Sequence, residues 1–351
     1  MIKFMKCMIA LSIVIALVMG MSVCEAAKKT EPVYLGTSIR SLDNEYHQIW
    51  KKGGELFAKE MGLSEYHRTL LSEGNTEKQL DDIRALIAKA GKNVVFNVDP
   101  NEAPAARAVA EICEKAGVYF ITQWNKPADL HPWDYKYWVT HITTDGIATG
   151  YAMGKLLCEA MGGKGEIAAI QGMLANTTAI ERYNGLLKAL KEYPNVELVD
   201  SRPADWLRDK GMTITEGWLV AYPDLAGIWA ANDEEALGAL EALKSAGLGG
   251  KIPVTGTDAT GEAVRAVANG EMLATTSSDA YWQGGMGLSL AYHAYTGAIN
   301  PEMLPHELRE WHFKFKVITQ ENAQKYIDEY VTGTPTYDYE DIFGRWVSPI
   351  R

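Results

Sequence analysis

The sequence predicts an α/β protein of two doubly wound parallel-sheet lobes joined by a multi-strand hinge. Three observations carry this. Apolar runs of strand length alternate with helical patterns over almost the whole chain, which means parallel strands covered by helices on both faces. The alternation breaks once, over an irregular aromatic stretch at 124–145, which divides it into two series. And 351 residues are enough for two cores of about 100–150 residues each.

The first series reads strand 33–38, helix 45–61, strand 66–72, helix 77–90, strand 94–97, helix 103–116 and strand 119–123. An irregular loop, 124–138, follows. The second series opens after His141 with helix 147–161, strand 166–171, helix 178–193 and strand 196–201. It continues through helix 207–221, strand 227–230, helix 234–246, strand 253–258, helix 262–269, strand 272–277 and helix 281–296. A strand at 311–317 and a helix at 321–330 close it. Crossovers between parallel strands are right-handed, so each series folds as a doubly wound unit. Further crossings between the lobes are expected near 277–279 and 304–310. The first lobe is then 31–144 plus 278–308, and the second is 145–277 plus 309–331. The tail, 332–351, is rich in Gly, Pro and aromatic residues and is expected to pack on a lobe.

Lys3 and Lys6, an uncharged apolar run over 8–23 and the small residues Ala26 and Ala27 make segment 1–26 a secretory signal cleaved near Ala26 or Ala27. A membrane anchor and a lipid-modified Cys24 are the alternatives; the run is short for a bilayer span. The expected address is the periplasm. The formal charge is −11 and the pI about 5.2, which disfavours nucleic acid and anionic membrane as partners. Beyond the signal only Cys113 and Cys158 remain, both at apolar helix positions, and they read as buried free thiols in preference to a disulfide. No spacing of Cys and His forms a zinc site, and no metal or cofactor is expected.

Enzymatic readings find little support. The chain has no GxSxG elbow, P-loop or HExxH helix. Gly162-Gly163-Lys164-Gly165 precedes a strand and reads as a turn, not a phosphate cradle. A carboxylate pair, Asp258 with Asp279, is the residue set for a glycosidase, and residue type alone supports it.

Ligands of open parallel sheets bind beyond the carboxyl ends of the strands. Taking those positions in turn gives Asn44, Tyr46 and His47, with Ser41; Trp124 and Asn125; Asn232; Asp258; and Asp279, with Ser278. Arg182 and Trp206 come from a helix and a loop of the second lobe. Aromatic faces, amides, carboxylates and one guanidinium suit a sugar or polyol, whose C–H face stacks on rings while its hydroxyls take planar donors and acceptors. Blander roles stay open: Asn232, Asp258 and Asp279 as helix caps, both tryptophans as core, Arg182 as a surface ion-pair partner and His47 as a solvated helix residue. Trp124 and Trp206 are expected to face each other across the cleft.

Six segments, in order, resemble type I periplasmic sugar-binding proteins of the ribose- and galactose-binding group. They are Gln171-Gly172, Glu181-Arg182 with Gly185, Pro203-Ala204-Asp205-Trp206, the run from Asn232 to Ala239, Gly256-Thr257-Asp258, and the run from Gly270 to Thr275. The resemblance covers about 32–330. It implies a binding protein that closes two lobes on a monosaccharide or sugar alcohol and hands it, as a monomer, to the membrane permease of an ABC importer, without enzymatic activity. By resemblance Arg182, Asn232 and Asp258 bond sugar hydroxyls, Trp206 stacks, and Asn44 and Tyr46 supply the first-lobe amide and aromatic. The family's Asp-Arg pair after the fourth strand is Trp124-Asn125 here, and its glutamine near the last crossing is Ser278 or Asp279. The loop 126–136, with His131 and Trp133, is longer than the family's and is expected to line or cover the cleft. The competing function is a receptor for a sugar-like signal of the autoinducer type that reports to a membrane sensor; a repressor's effector domain shares the fold, but the signal segment and the lack of a helix-turn-helix at the N-terminus speak against it.

Overall fold

The computed structural model describes residues 32–350. The segment expected to be an export signal, with Lys3, Lys6, Cys24, Ala26 and Ala27, lies outside the described residues. Among the described residues no helix is long and apolar enough to cross a membrane.

The chain runs β1 (Tyr34–Ile39), α1 (Glu45–Glu60), β2 (His67–Leu71), α2 (Thr76–Ala90), β3 (Val94–Val98), α3 (Ala105–Ala116), β4 (Phe120–Gln123), β5 (Trp138–Thr143), α4 (Gly146–Ala160), β6 (Lys164–Gln171), α5 (Thr177–Leu190), β7 (Asn195–Pro203) and α6 (Arg208–Ala221). It goes on through β8 (Leu225–Ala230), α7 (Asp233–Ser245), β9 (Val254–Thr255), α8 (Gly261–Ala268), β10 (Thr275–Ser277), α9 (Ala280–Thr296), α10 (His306–Arg309), β11 (Glu310–Phe313), β12 (Lys316–Ile318), α11 (Gln320–Tyr326) and β13 (Trp346–Pro349).

One sheet has the order β13-β11-β5-β4-β3-β1-β2, parallel except for β13, which runs antiparallel to β11. A second has the order β7-β6-β8-β9, all parallel, and β10 and β12 form a two-stranded antiparallel sheet. Alternation along a strand sends neighbours to opposite faces. Val95 thus joins the core with Leu35, Trp50 and Ile121, while Phe96 joins the one with Phe120 and Trp138. Ile228 and Trp229 divide the second lobe in the same way. Cys113 and Cys158 are buried free thiols, as the sequence predicts.

Two departures from the expected outline matter, and the tail adds a strand. First, 138–143 is not the end of a loop: β5 is a fully buried strand between β4 and β11. Its Thr140, His141 and Thr143 hide it from a search for apolar runs, and burial is tolerated because His141 Nδ1 bonds Thr122 Oγ1 at 2.8 Å and Thr140 Oγ1 donates to the carbonyl of Arg309 at 2.9 Å. Second, the expected strand 311–317 is two strands in two sheets. β11 belongs to the seven-stranded sheet, and β12 pairs with β10, so the crossing lies at 314–315 and the second-lobe piece starts there instead of at 309. The tail contributes β13 to the edge of the first-lobe sheet and buries Tyr339 in its core.

Helices approach each other closely at reciprocal glycines. A methyl on Gly53 would lie 2.0 Å from the Tyr281 carbonyl oxygen, and one on Gly284 would lie 1.9 Å from that of Trp50, which locks α1 to α9. In the second lobe a methyl on Gly150 of α4 would lie 1.8 Å from the Arg182 carbonyl oxygen of α5, and one on Gly185 would lie 2.3 Å from that of Ile147. The nearest atoms are backbone, so a larger residue separates the helices. Gly150→Ala is therefore expected to cost about 1–3 kcal/mol by overpacking and to shift the turn that carries Arg182. Thermal unfolding checks it; an unchanged melting temperature would contradict the packing argument.

Candidate functional site

The carboxyl ends of both sheets face one cavity of about 410 Å³. From the first lobe come Asn44, Tyr46 and His47 after β1, Asp99 and Asn101 after β3, and Trp124 and Asn125 after β4. From the second come Asn176 and Arg182 around and on α5, Trp206 after β7, Asn232 after β8 and Asp258 after β9. Nine of the ten residues the sequence singles out therefore line this cavity; Asp279 does not.

Asp279 sits at the crossing between β10 and α9. Its Oδ1 caps α9 by accepting from Trp282 N–H at 3.1 Å and takes the Tyr337 hydroxyl at 2.6 Å; its Oδ2 accepts from Arg345 at 2.8 Å. The carboxylate is thus consumed by the tail, which also rules out its pairing with Asp258 in a shared site. Ser278 is buried outside the cavity as well. The loop 126–136 does not cover the cleft either. Its Lys126 folds back to the Leu130 carbonyl and to buried Glu310 at 3.0 Å, and Trp133 stacks between His131 and His306.

At the second-lobe side Arg182 Nη1 donates to the Ala231 carbonyl at 2.7 Å, and its Nη2 lies 3.7 Å from Asp258 Oδ1. The guanidinium carbon lies 5.4 Å from the ring centre of Trp124 and 5.8 Å from that of Trp206, so one cation approaches an indole of each lobe. Burial pushes the Asp258 carboxyl well above the usual range; Arg182 opposes this and Asp233 adds to it. Trp206 is fixed by its indole N–H to Asn176 Oδ1 at 2.9 Å and its backbone N–H to Glu235 Oε1 at 2.9 Å. It also packs where Gly172 has no side chain, since a methyl there would lie 2.1 Å from the indole. Asn232 does cap a helix, accepting from Glu235 N–H at 2.9 Å, and lines the cavity as well.

On the first-lobe side His47 is buried, and its Nε2 meets Asp99 Oδ2 at 3.2 Å. Asn125 donates to Asp99 Oδ1 at 3.3 Å and to the Pro100 carbonyl at 3.1 Å. Asn44 Oδ1 caps α1 through Tyr46 N–H at 2.8 Å. The sequence reading passed over Asp99, Asn101 and Asn176, although Asp99 and Asn101 directly follow a predicted strand and the carboxyl-end rule reaches them.

Among the described residues, His47 Nδ1, Asn101 Nδ2, Asn125 Oδ1 and Arg182 Nε are buried polar atoms of cavity-lining residues with no hydrogen-bond partner. Each such atom costs about 1–3 kcal/mol while unpaired. Trp124, Asp205, Trp206 and Asp258 all have positive φ, at 66°, 54°, 68° and 126°. Non-glycine residues in that region carry roughly 1–3 kcal/mol of strain each, and such strain clusters at ligand sites.

Residues 35–299 match the model of a family described as a periplasmic binding protein domain. The ribose import binding protein of Haemophilus influenzae is 30% identical over 295 residues, 84% of this chain and 96% of that protein. The D-allose-binding periplasmic protein of Escherichia coli is 32% identical over 261 residues, 73% of this chain and 82% of its own. Among solved structures, a twin-arginine translocation pathway signal protein from Burkholderia phytofirmans superposes with a TM-score of 0.89 at 41% identity, covering 91% of this chain and 99% of that one. A periplasmic solute binding protein of an ABC transporter from Actinobacillus succinogenes, with bound D-allose, gives 0.75 at 27% identity, covering 84% and 100%. With most of its length matched and its fold shared, this chain belongs to the periplasmic binding protein family.

Proposed function

We propose that the protein captures a monosaccharide or sugar alcohol between its lobes, outside the cytoplasm, and delivers it as a monomer to an ABC-type importer. The observation that carries this reading is the cavity wall. Indole and phenol rings stand beside planar amides, a guanidinium and carboxylates, and four buried polar atoms there lack partners. That mixture fits a small neutral molecule with an apolar face and many hydroxyls. Six carboxylates against three guanidiniums line the cavity, which disfavours sugar acids and phosphates. Arg182 disfavours cations. Relatives named for ribose and D-allose support the substrate class. No chemical step is proposed; capture and release are the whole activity.

Three measurements test the reading. In calorimetric titration against pentoses, hexoses and polyols, Arg182→Ala and Asp258→Ala should each weaken the best ligand by roughly 2–4 kcal/mol with the fold intact, because each leaves a buried partner unpaired. Wild-type affinity in both variants would misplace the site. Trp124 and Trp206 should report binding by fluorescence, and Trp124→Phe and Trp206→Phe should each remove part of the response; a response unchanged in both would mean that neither ring meets the ligand. Finally, the exported protein should have the intact mass of a chain lacking 26 or 27 residues from the N-terminus. A retained Met1 or a lipid adduct on Cys24 would overturn the soluble form.

A further inference from the structure

The polar edges of the two first-lobe rings are held from behind by side chains that do not line the cavity. Trp124 Nε1–H donates to the Tyr46 hydroxyl oxygen at 2.8 Å, and Tyr46 O–H donates to Gln283 Oε1 at 2.8 Å. Gln283 Nε2 donates to Gln123 Oε1 at 2.9 Å. Gln123 Nε2 donates to Asn97 Oδ1 and to the Gln283 carbonyl, both at 2.9 Å. Asn97 Nδ2 in turn donates to the carbonyls of Gln283 at 2.9 Å and Gly284 at 3.2 Å. Asn97, Gln123 and Gln283 are completely buried. They come from β3, β4 and α9, three elements far apart in the chain.

The direction of every bond in this relay follows from the donors available. An indole N–H only donates, and a phenol has one proton. With Trp124 donating to its oxygen, Tyr46 must send its proton to an acceptor, so Gln283 has to present its carbonyl. Gln283 then has to donate through Nε2, which requires Gln123 to present its carbonyl as well. Gln123 meets the demand by donating to Asn97 Oδ1. Asn97 is anchored because its amide group faces two backbone carbonyls, which only accept. The polarity is thus set by backbone at one end and reaches the cavity wall at the other, and each amide has a single satisfactory orientation.

We infer that Gln283 is a positioning residue for ligand recognition: through the relay it holds the rings of Tyr46 and Trp124 with their hydrogen-bonding atoms tied to protein. At these two residues the first-lobe wall then offers ring surface whose own donor and acceptor are engaged, while the unpartnered polar atoms of that lobe lie on His47, Asn101 and Asn125. A ligand's C–H face is accepted at the rings, and a hydroxyl turned toward them is left unpaired. For its substrate class the inference rests on the sugar reading above; the relay itself does not.

The test has two arms on the mature protein. In the ¹⁵N-labelled, ligand-free protein the Trp124 indole N–H resonance is assigned by its loss in Trp124→Phe. It should move in Gln283→Leu and in Gln123→Leu, because Tyr46 then reorients its proton. Gln283→Met, closer in shape to glutamine, replaces Gln283→Leu if the latter does not fold. In the second arm D-ribose, D-allose and myo-inositol are titrated into wild type, Tyr46→Phe, Gln283→Leu and the double variant. Each single change should weaken the sugar that binds by about tenfold, the consequence of one buried unpaired group. The double variant should be no weaker than the worse single one, since both act through one relay. A purely structural role for Gln283 lowers the melting temperature but leaves the indole resonance in place and the two losses additive; either result overturns the inference. The resonance is read without ligand, so wild type that binds none of the three sugars counts against the sugar reading and not against the relay.

Discussion

One buried guanidinium constrains the arrangement of the cleft. Arg182 is almost fully removed from water, and a desolvated cation costs several kcal/mol unless its surroundings replace the hydration. Here the replacement comes from four directions: the Ala231 carbonyl at the end of β8, the Asp258 carboxylate after β9, and an indole face from each lobe. Those groups sit on four different loops, so satisfying one charge fixes the carboxyl ends of both sheets relative to each other. The carboxylates feel the same constraint in reverse. Burial pushes Asp258 and Glu235 upward, and Arg182 holds both down. Arginine suits the place better than lysine because its planar head donates hydrogen bonds at the edge and takes aromatic contact on the face at once.

Several further contacts that join the lobes share a form. Side chains at one lobe's helix N-termini reach backbone groups of the other. Thr177 and Thr178, at the start of α5, donate to the carbonyls of Lys126 at 2.9 Å and Trp124 at 3.2 Å, and Asn176 donates to that of Asn101 at 3.0 Å. In the other direction Glu45, in the first turn of α1, accepts from the N–H groups of Gly261 at 3.0 Å and Glu262 at 3.3 Å, the orphan donors at the start of α8. Such bonds are individually modest and replaceable by water, so they suit a joint between lobes that must open as well as close. The reciprocal glycines do the opposite. They lock helices within each lobe by backbone contact, leaving the three crossings as the places where motion can be absorbed.

The fold was largely legible because parallel sheets buried on both faces write themselves as apolar runs, and the cavity was legible because such sheets place ligands at one edge. The failures share a cause: tertiary pairing decided by polar residues. β5 carries Thr140, His141 and Thr143 and reads as loop, yet it is central. Residues 311–317 read as one strand because the sequence does not show which sheet each half will pair with. Asp279 has the residue type and position of a site carboxylate, and only the folded tail, arriving from Tyr337 and Arg345, shows that it is already taken. His47 looked solvated until Asp99, 52 residues away, was placed against it. The glutamine relay was out of reach altogether, since nothing in the sequence joins positions 97, 123 and 283.

The replacement of a charged pair by Trp124-Asn125 now has a physical reading. The departure from the family pattern does not leave the first lobe without polar groups; it redistributes them. Asn125 turns to Asp99 and Pro100, which keeps a carboxylate and an amide at the cavity but ties them to each other. Trp124 brings a large apolar surface, and its one donor is absorbed by Tyr46. Its backbone has a positive φ of 66°, a cost that most tryptophans do not carry, and its ring lies between the Tyr46 hydroxyl and the Arg182 cation. The second lobe meanwhile sets Arg182, Asn232 and Asp258 along the same cavity. The two walls therefore make different demands. One presents a guanidinium, an amide and a carboxylate along an edge, the other the rings of Tyr46 and Trp124 beside the unpartnered polar atoms of His47, Asn101 and Asn125, and joining them takes a molecule with a C–H face for the rings and polar groups at its edges.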